Sequence, residues 1–498
     1  MADVNWKRRA VFKGLGAAGM VSILGGCLDD SGSGGDAAAA PRLGSGGPGD
    51  VANKLLIDAS VDATGIPANI PIYAYITGLV KIPGQVFYRY DSAMGRPVEM
   101  STRDNTITDS LKIETGLYGV NYTKNYPTPW ANYSIPLSRS DVTVVADLAS
   151  FNNANIPGYG SGAAAFSGRI WISVGKPLLP FTPRVGADFE GAGTVDGYTT
   201  PVVAADGIGS LCFYDWMEFS FDVNGLLYIN TTQVDQYGFP VSAAATGDNV
   251  HGSPQGVFNK KRSEILAALA LLDAPFNTSV AFPTADVDAD AYPPTANTQG
   301  KLRALAPSKT PDIGTSTYLD AEISAALAYW EDNWLSVTCP SNALQKTYYG
   351  QADPHSTPKT LTFYKDKVKT GGAQFTFDDL TTANVLDCDG TMTGVGVPQT
   401  GDLLGDLKNT GKAILAGFNR GVIKNTTELN IESGPSYTPP LSTNYPPGTA
   451  CNAWAQHFHQ YSANGLAYGF AYDDVGDQQP MIIATKTTGL KITLGRFE

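Results

Sequence analysis

Two carboxylates, Glu218 and Asp235, flank an Asn-Gly pair inside an otherwise apolar and aromatic run, FYDWMEFSFDVNGLLYINTTQVD, at 213–235. Asn-Gly between two alternating segments is a strong signal for a tight β-hairpin, so the two acids are expected on neighbouring strands. Two carboxyl groups that face each other across a gap can act as an acid and a base, the arrangement that hydrolyses glycosidic bonds. Acidic residues on an exposed strand face are more often simply solvated, and the residue types alone leave both interpretations open.

The hairpin register decides which side chains share a face with the two acids. A two-residue turn at 224–225 places Glu218 opposite Thr231. The same register places Asp235 opposite Tyr214, on the face that carries Glu218. The further side chains predicted on this face are Trp216, Ser220 and Gln233. The opposite face, directed to the core, carries Met217, Phe219, Phe221, Tyr228, Val234 and also Asp215, which needs hydrogen-bond partners or a β-bulge there.

The predicted ladder also gives a separation for the two carboxyl groups. Four residues of offset at about 3.3 Å each, with one strand spacing of about 4.8 Å, put the two Cα atoms roughly 14 Å apart. Side chains that lean toward each other reduce the carboxyl separation to about 8–10 Å. This range overlaps the window of about 6.5–9.5 Å that leaves room for a water and inverts the anomeric centre, and it exceeds the ~5–5.5 Å of a retaining mechanism.

The composition favours a folded protein that binds neutral polar ligands. The chain has 498 residues, of which 43% are hydrophobic, enough for two or three domains of roughly 150 residues each. A formal net charge of -13 opposes binding to phosphate backbones and anionic lipid surfaces, so we expect no nucleic-acid partner. Charged residues make up 16% of the chain, whereas Gly (54), Pro (32) and Tyr (24) are numerous. A surface rich in aromatic and hydroxyl groups suits sugars.

Residues 1–27 resemble an export signal. Lys7, Arg8 and Arg9 precede a weakly apolar Gly/Ala-rich run, a pattern typical of twin-arginine signals. The run ends in ILGGC, a lipobox-like sequence that predicts acylation of Cys27, with an ordinary cleaved signal as the alternative. It is too short and too rich in glycine for a transmembrane helix. We therefore expect an exported protein, lipid-anchored in the bacterial cell envelope or released outside the cell, that meets a membrane only through this anchor.

Composition and hydrophobic periodicity divide the rest of the chain, and together they predict a mainly β protein with some α structure. Residues 28–50 have almost no bulky apolar side chains and predict a flexible linker. Strand-like segments over 51–253 predict a β-sandwich or barrel, which about 466–498 would complete. Helical patterns predict a mixed α/β domain over 254–465, with helices near 253–273, 318–330 and 449–464.

The cysteine and histidine spacings limit the cross-links and metals that the chain can hold. Removal of Cys27 leaves four cysteines, an even count that is compatible with one or two disulfides in an exported protein. We expect Cys339 to pair with Cys388, and other connectivities stay open. His457 and His459 are two residues apart, which puts them on different faces of a helix, and no metal-binding spacing occurs elsewhere. The sequence therefore predicts no metal and no cofactor.

Four segments carry a resemblance to a known enzyme family: SGRIWISVGKPL at 167–178, YDWMEFSF at 214–221, TTQVDQYGFP at 231–240 and HQYSANGLAYGFAYDD at 459–474. Together they resemble glycoside hydrolase family 64. The resemblance spans most of 51–498 in the expected order. It implies a thaumatin-like β domain beside a mixed α/β domain with a wide cleft between them. It also implies an inverting endo-β-1,3-glucanase whose partner is β-1,3-glucan, and we expect a monomer.

The resemblance implies roles for single residues. By match to the family's motifs, Glu218 in MEFS would be the general acid and Asp235 in TQVDQYG the general base that activates water. An acid must keep its proton near neutral pH, and the apolar ring of Trp216 beside Glu218 favours this. Asp235 is expected to stay ionised among hydroxyl groups. The substrate-binding candidates are Tyr214, Trp216, Ser220, Thr231, Gln233 and Asp474, the last of which could equally belong to a turn.

The chain departs from the plant thaumatin-like relatives in two respects. It has few cysteines, and Asn230 stands where the plant proteins have a further Asp, so antifungal binding of the plant type is not implied. Two other functions stay open. One is a non-catalytic, lectin-like envelope lipoprotein that binds β-glucan, and the other is a structural or adhesion lipoprotein on the same scaffold.

Overall fold

The structure is a computed structural model. It describes residues 53–82, 84–108, 112–117, 120–125, 129–151, 156, 166–175, 178–184, 197–199, 212–222, 225–257, 260–281, 301–339, 346–378, 380–388, 392–393, 402–430 and 444–498. The predicted export signal, Cys27 and the predicted linker lie outside these residues.

The described residues form β1 (Lys54–Asp58), β2 (Ile72–Ile82), β3 (Gly84–Asp91), β4 (Arg96–Glu99), β5 (Lys112–Leu117), β6 (Val120–Asn125), β7 (Ile135–Pro136), β8 (Thr143–Asp147), β9 (Phe166–Val174), β10 (Thr182–Arg184), β11 (Gly197–Thr199), β12 (Tyr214–Phe221), β13 (Leu227–Thr231), β14 (Gln236–Tyr237), β15 (Val241–His251), β16 (Gln255–Gly256), β17 (Ser279–Ala281), β18 (Lys301–Leu305), β19 (Leu335–Cys339), β20 (Lys346–Ala352), β21 (Leu361–Tyr364), β22 (Phe375–Phe377), β23 (Met392–Thr393), β24 (Glu428–Asn430) and β25 (Met481–Leu494).

The helices among the same residues are α1 (Val61–Thr64), α2 (Arg262–Leu269), α3 (Asp320–Asp332), α4 (Thr382–Asp387), α5 (Asp402–Asn419) and α6 (Ala453–Tyr461). Short 3-10 turns lie at Thr102–Asp104, Leu148–Phe151, Pro307–Lys309, Pro311–Thr315 and Ala463–Gly465. None of these helices is both long enough and apolar enough to cross a membrane.

Two of the helix predictions need correction. The helix expected from residue 253 begins only at Arg262, because Gln255–Gly256 pairs with β15 as strand β16. The longest of the described helices, α5, was not predicted. Its buried apolar residues recur with helical spacing, and they include Leu407, Ala413, Ile414, Leu415 and Phe418.

A sheet of 12 strands forms the centre of the fold. Its main path runs β16-β15-β25-β13-β12-β9-β2-β3-β4, and β1, β7 and β8 join beside this path. The C-terminal strand β25 runs antiparallel to β13 and β15 and parallel to β1. The chain therefore returns at its end to the sheet that holds Glu218.

Both faces of this sheet are covered. One face packs on an aliphatic and phenylalanine-rich core, to which β12 contributes Met217 and Phe219. The other face supports a layer of aromatic side chains, here called the aromatic layer, to which β12 contributes Tyr214 and Trp216. The alternation of side chains along β12 thus contributes to the core on one face and to the aromatic layer on the other. Glu218 follows Trp216 on the same face, at the margin of the aromatic layer.

A second core lies between α2, α3, α5, α6 and a six-stranded sheet, β23-β22-β21-β20-β19-β24. A three-stranded sheet, β14-β18-β17, connects the two cores, because Leu302 and Leu305 pack in the first core whereas Tyr237 and Ala304 pack in the second. The predicted fold class, mainly β with α, is confirmed.

Candidate functional site

Strands β12 and β13 form the expected antiparallel hairpin, but the predicted register is wrong by one residue. Glu218 lies opposite Asn230, whereas Thr231 lies opposite Met217. Since strand side chains alternate, this shift moves Thr231 to the core face and Tyr228 to the face of Glu218. The predicted place of Thr231 beside Glu218 is therefore wrong.

The turn of the hairpin explains the error. The N–H of Asp222 donates to the carbonyl of Leu226 at 3.0 Å, and the N–H of Gly225 donates to the carbonyl of Asp222 at 3.0 Å. Gly225 has a φ of 80°, in the left-handed region that glycine tolerates. These bonds enclose a loop of three residues that ends in a left-handed glycine, whereas the prediction assumed a loop of two.

Asp235 does not belong to the ladder that carries Glu218. Strand β13 ends at Thr231, and the chain then turns toward the second core. The N–H of Gln233 donates to the carbonyl of Tyr468 at 2.8 Å. The indole N–H of Trp454 donates to the carbonyl of Gln233 at 2.9 Å. The carboxyl separation that we derived from an unbroken ladder therefore does not apply to this protein.

Contacts on both sides hold Asp235 in place. Its carbonyl accepts a hydrogen bond from the N–H of Ala306 at 3.1 Å. Its Oδ1 lies 2.7 Å from the Lys309 Nζ, and both side chains are only 12% exposed. Burial raises the pKa of Tyr214, and the charge of Asp235 adds to this effect while Arg303 opposes it.

The carboxylate of Asp215, expected on the core side, is hydrogen-bonded there. Its Oδ1 accepts the Trp216 N–H at 2.9 Å, and its Oδ2 accepts the Gly238 N–H at 2.8 Å. Burial raises the pKa of Asp215 to about 7, although these amide bonds oppose the shift. The Gln236 side-chain amide also donates to the carbonyl of Tyr214 at 2.9 Å. Strand β12 thus holds the segment that directly follows Asp235.

Glu218 lies at the margin of the aromatic layer and is partly accessible. Arg169 donates to Glu218 Oε1 from Nη2 at 2.9 Å and from Nε at 3.2 Å. The Arg169 guanidinium lies 5.3 Å from the ring centroid of Trp171 and 5.2 Å from that of Trp216. The side chain of Glu218 is 35% exposed, and its Oε2 has no hydrogen-bond partner among the described residues. Oε2 is therefore the oxygen that a ligand can reach.

The structure buries most of the side chains that the sequence predicted to contact a sugar. Tyr214, Trp216 and Gln233 are buried, as is Thr231 on the other face. The rings of Tyr214 and Trp216 stack with centroids 6.0 Å apart inside the aromatic layer. These side chains support the site from beneath and offer no surface to a sugar, contrary to the prediction. Ser220 keeps partial exposure.

The end of the fourth motif, Tyr472–Asp474, is here called the YDD segment, and it contains a buried ion network. Asp473 is fully buried, and its Oδ1 lies 2.9 Å from Arg420 Nη2. Its Oδ2 lies 3.0 Å from His459 Nε2 and accepts the Gly469 N–H at 3.0 Å. Burial would raise the pKa of Asp473, but His459 and Arg420 hold it below its ordinary value. The network fixes the loop in which the Tyr468 carbonyl accepts the N–H of Gln233.

Two acids, Asp474 and Glu218, affect the pKa of the Tyr468 phenol. Burial raises the pKa of Tyr468, and the charges of Asp474 and then Glu218 add to this effect. Asp474 is partly exposed, and its Oδ2 lies 3.7 Å from Lys412 Nζ. The backbone carbonyl of Tyr468 accepts the N–H of Gln233, two residues before Asp235, so Tyr468 lies beside the segment that leads to this acid. The roles predicted for Glu218, Asp235 and Asp474 stay predictions.

Two basic residues of the site had no predicted role. Arg169 lies in the GRIW motif, one strand from Glu218, so its pairing follows once β9 is placed beside β12. Lys309 lies in a segment without any motif. No signal in the sequence connects it to Asp235.

The predicted disulfide between Cys339 and Cys388 is wrong. All four described cysteines are buried, and no disulfide joins any two of them. Cys339 Sγ lies 3.4 Å from Thr410 Oγ1, and the Asn419 side-chain amide lies 3.8 Å from Cys388 Sγ. Each thiol has separate neighbours on α5. In the part of the chain that the structure describes, no group of three or more potential metal ligands occurs.

The comparisons with known proteins identify the class of enzyme. A family model described as beta-1,3-glucanase, that of glycoside hydrolase family 64, matches residues 65–494. This match covers well over half of the chain and includes both candidate acids. The chain therefore belongs to glycoside hydrolase family 64, the β-1,3-glucanases. A search of curated protein sequences finds no match.

Solved structures share the fold. The family 64 β-1,3-glucanase domain from Clostridium beijerinckii has a TM-score of 0.59 and 22% identity, and the alignment covers 92% of this chain and 100% of that one. A laminaripentaose-producing β-1,3-glucanase in complex with laminaritetraose has a TM-score of 0.57 and 19% identity, over 90% and 99% of the two chains. At these identities the similarity shows a common fold.

Proposed function

We propose that this protein is an endo-acting, inverting β-1,3-glucanase in which Glu218 is the general acid and Asp235 the general base. Family membership supplies the reaction class, hydrolysis of β-1,3-glucan. The observation that supports Glu218 most directly is its partly exposed carboxyl group, in which both hydrogen bonds from Arg169 go to Oε1. Asp235 suits the base because a largely buried ion pair with Lys309 limits how its carboxylate can turn.

In this proposal the two acids act in one displacement. The Glu218 carboxyl gives its proton to the glycosidic oxygen as the bond to the anomeric carbon breaks. Asp235 takes a proton from a water that attacks the opposite face of the same carbon. A β-linked glucan therefore yields a new reducing end in the α configuration. The alternative of simply solvated acids does not fit Asp235, which is largely buried and ion-paired.

The glucan lies in the wide cleft that the family resemblance implies. Because Tyr214 and Trp216 are buried, we assign its contacts to partly exposed groups on the face of Glu218. These groups are Ser220 and its cross-strand neighbour Tyr228, and we add the partly exposed Asp474 of the C-terminal region. The Tyr228 ring offers an apolar surface for a glucose face, and Ser220 offers a hydroxyl.

Variants of the two acids test the assignment when two substrates are compared. Glu218→Gln is expected to lower kcat on laminarin by about 10²–10⁴-fold, since it removes proton donation. On the β-fluoride of laminaritetraose, whose leaving group needs no proton, the same variant loses much less. Asp235→Asn loses activity on both substrates, because both need an activated water. Release of reducing sugar and of fluoride measures the two rates.

The matched control is Asp248→Asn, which changes an exposed acid paired with Lys486 elsewhere on the sheet. It keeps wild-type rates. Full activity of Glu218→Gln on laminarin would remove the acid from the mechanism. Binding of laminarin by the wild-type protein without any release of reducing ends would favour the lectin-like alternative.

A further inference from the structure

The turn that carries Lys309 contacts Asp235 at two points, one through the Lys309 side chain and one through the backbone of Ala306. The ammonium lies 2.7 Å from Asp235 Oδ1, and each side chain is 12% exposed, so water screens the pair only partly. The N–H of Ala306, in the same turn, donates to the backbone carbonyl of Asp235 at 3.1 Å. The turn therefore holds both the main chain and the side chain of the proposed base.

Lys309 belongs to a turn outside the central sheet, and it follows β18 of the three-stranded sheet. β18 pairs with β14, which follows Asp235 directly, so Leu305 lies opposite Gln236. The chain then forms the 3-10 turn Pro307–Lys309, which the N–H of Lys309 closes on the carbonyl of Ala306 at 2.9 Å. The register of β14 and β18 thus determines the position of Lys309 relative to Asp235.

We propose that Lys309 is a positioning residue for the general base: it holds the Asp235 carboxylate oriented toward the attacking water. This inference rests on the proposed role of Asp235. Lys309 need not touch the glucan, so its effect falls on kcat more than on KM. A carboxylate that loses this partner can rotate, and a misplacement of about 1 Å can cost about 10²-fold in rate.

A double-mutant cycle tests whether Lys309 acts through Asp235. Lys309→Met keeps the aliphatic stem and removes the charge, and we expect kcat on laminarin to fall about 10–100-fold with KM little changed. In the Asp235→Asn background the same change is expected to alter the rate by less than about threefold, because the carboxylate that it positions is absent. The double variant is slow, so its rate is measured by the release of fluoride from the β-fluoride of laminaritetraose. Lys309→Arg retains the charge and restores most of kcat.

The matched control is Lys491→Met, which removes a similar lysine from an ion pair with Asp58 at 3.1 Å, with side chains 20% and 16% exposed. It is expected to leave kcat unchanged. If Lys309→Met does not fold, Lys309→Gln replaces it in the cycle. Equal rate losses from the Lys309 change in both backgrounds, or wild-type kcat in the single variant, overturn the inference and leave the proposed function intact. Wild-type turnover by Asp235→Asn overturns both.

Discussion

Each proposed catalytic carboxylate has a cation from another element. Arg169 of β9 contacts Glu218, and Lys309 of a 3-10 turn contacts Asp235. The acids were predictable because they lie inside motifs of the sequence. Lys309 was not, since its contact with Asp235 depends on the pairing of β14 with β18, which no local pattern encodes. Likewise, residue type favoured Tyr214 and Trp216 as sugar contacts, but their burial depends on a layer assembled from several strands.

Asp215 gives a residue-scale prediction about stability and pH. The unfolded chain ionises this carboxyl near pH 4, whereas burial raises its pKa in the folded protein to about 7. Between these values the folded state keeps a proton that the unfolded state has lost, so rising pH favours unfolding. We expect the wild-type thermal midpoint to fall relative to that of Asp215→Asn as the pH rises from about 4 to about 7, and to level off above this range. Calorimetry of both proteins across this range would show parallel profiles if the idea were wrong.

At the scale of elements, the hairpin shows how far sequence patterns lead. The Asn-Gly pair and the alternating residues predicted the two strands β12 and β13 and the existence of a turn between them. The register depended on whether the loop has two residues or three, and the side chain and carbonyl of Asp222 decide for three. The end of β13 could not be predicted either, because Tyr468 and Trp454 bind the backbone of Gln233 from the distant C-terminal region.

Gly238 is the element-scale test of how β12 holds the segment after Asp235. A Cβ at this position would lie 2.5 Å from the carbonyl oxygen of Tyr214, so Gly238→Ala must displace the backbone. We expect a loss of about 1–3 kcal/mol in stability and a lower kcat on laminarin, since the shift reaches Asp235. Gly314→Ala is the control, because a Cβ there meets no atom within 4 Å. Equal thermal midpoints and rates for the two variants would show that the segment tolerates the shift.

For the whole molecule, the sequence predicted a mainly β fold with helices and the class of enzyme. The second core was predicted less well. α5 was missed: Gly405 and Gly411 weaken the helical signal in its first part, although Ile414 and Phe418 recur with helical spacing in that core. The disulfide expectation failed because an even cysteine count carries no information about which thiols meet. In the fold, Cys339 and Cys388 have different neighbours along α5.

The anomeric form of the first products tests the central claim most directly. Proton NMR of laminarin during the first minutes of digestion, before mutarotation, is expected to show new reducing ends in the α configuration, with the β form growing in later. Reducing ends that appear first in the β configuration would contradict a single displacement by Glu218, Asp235 and water.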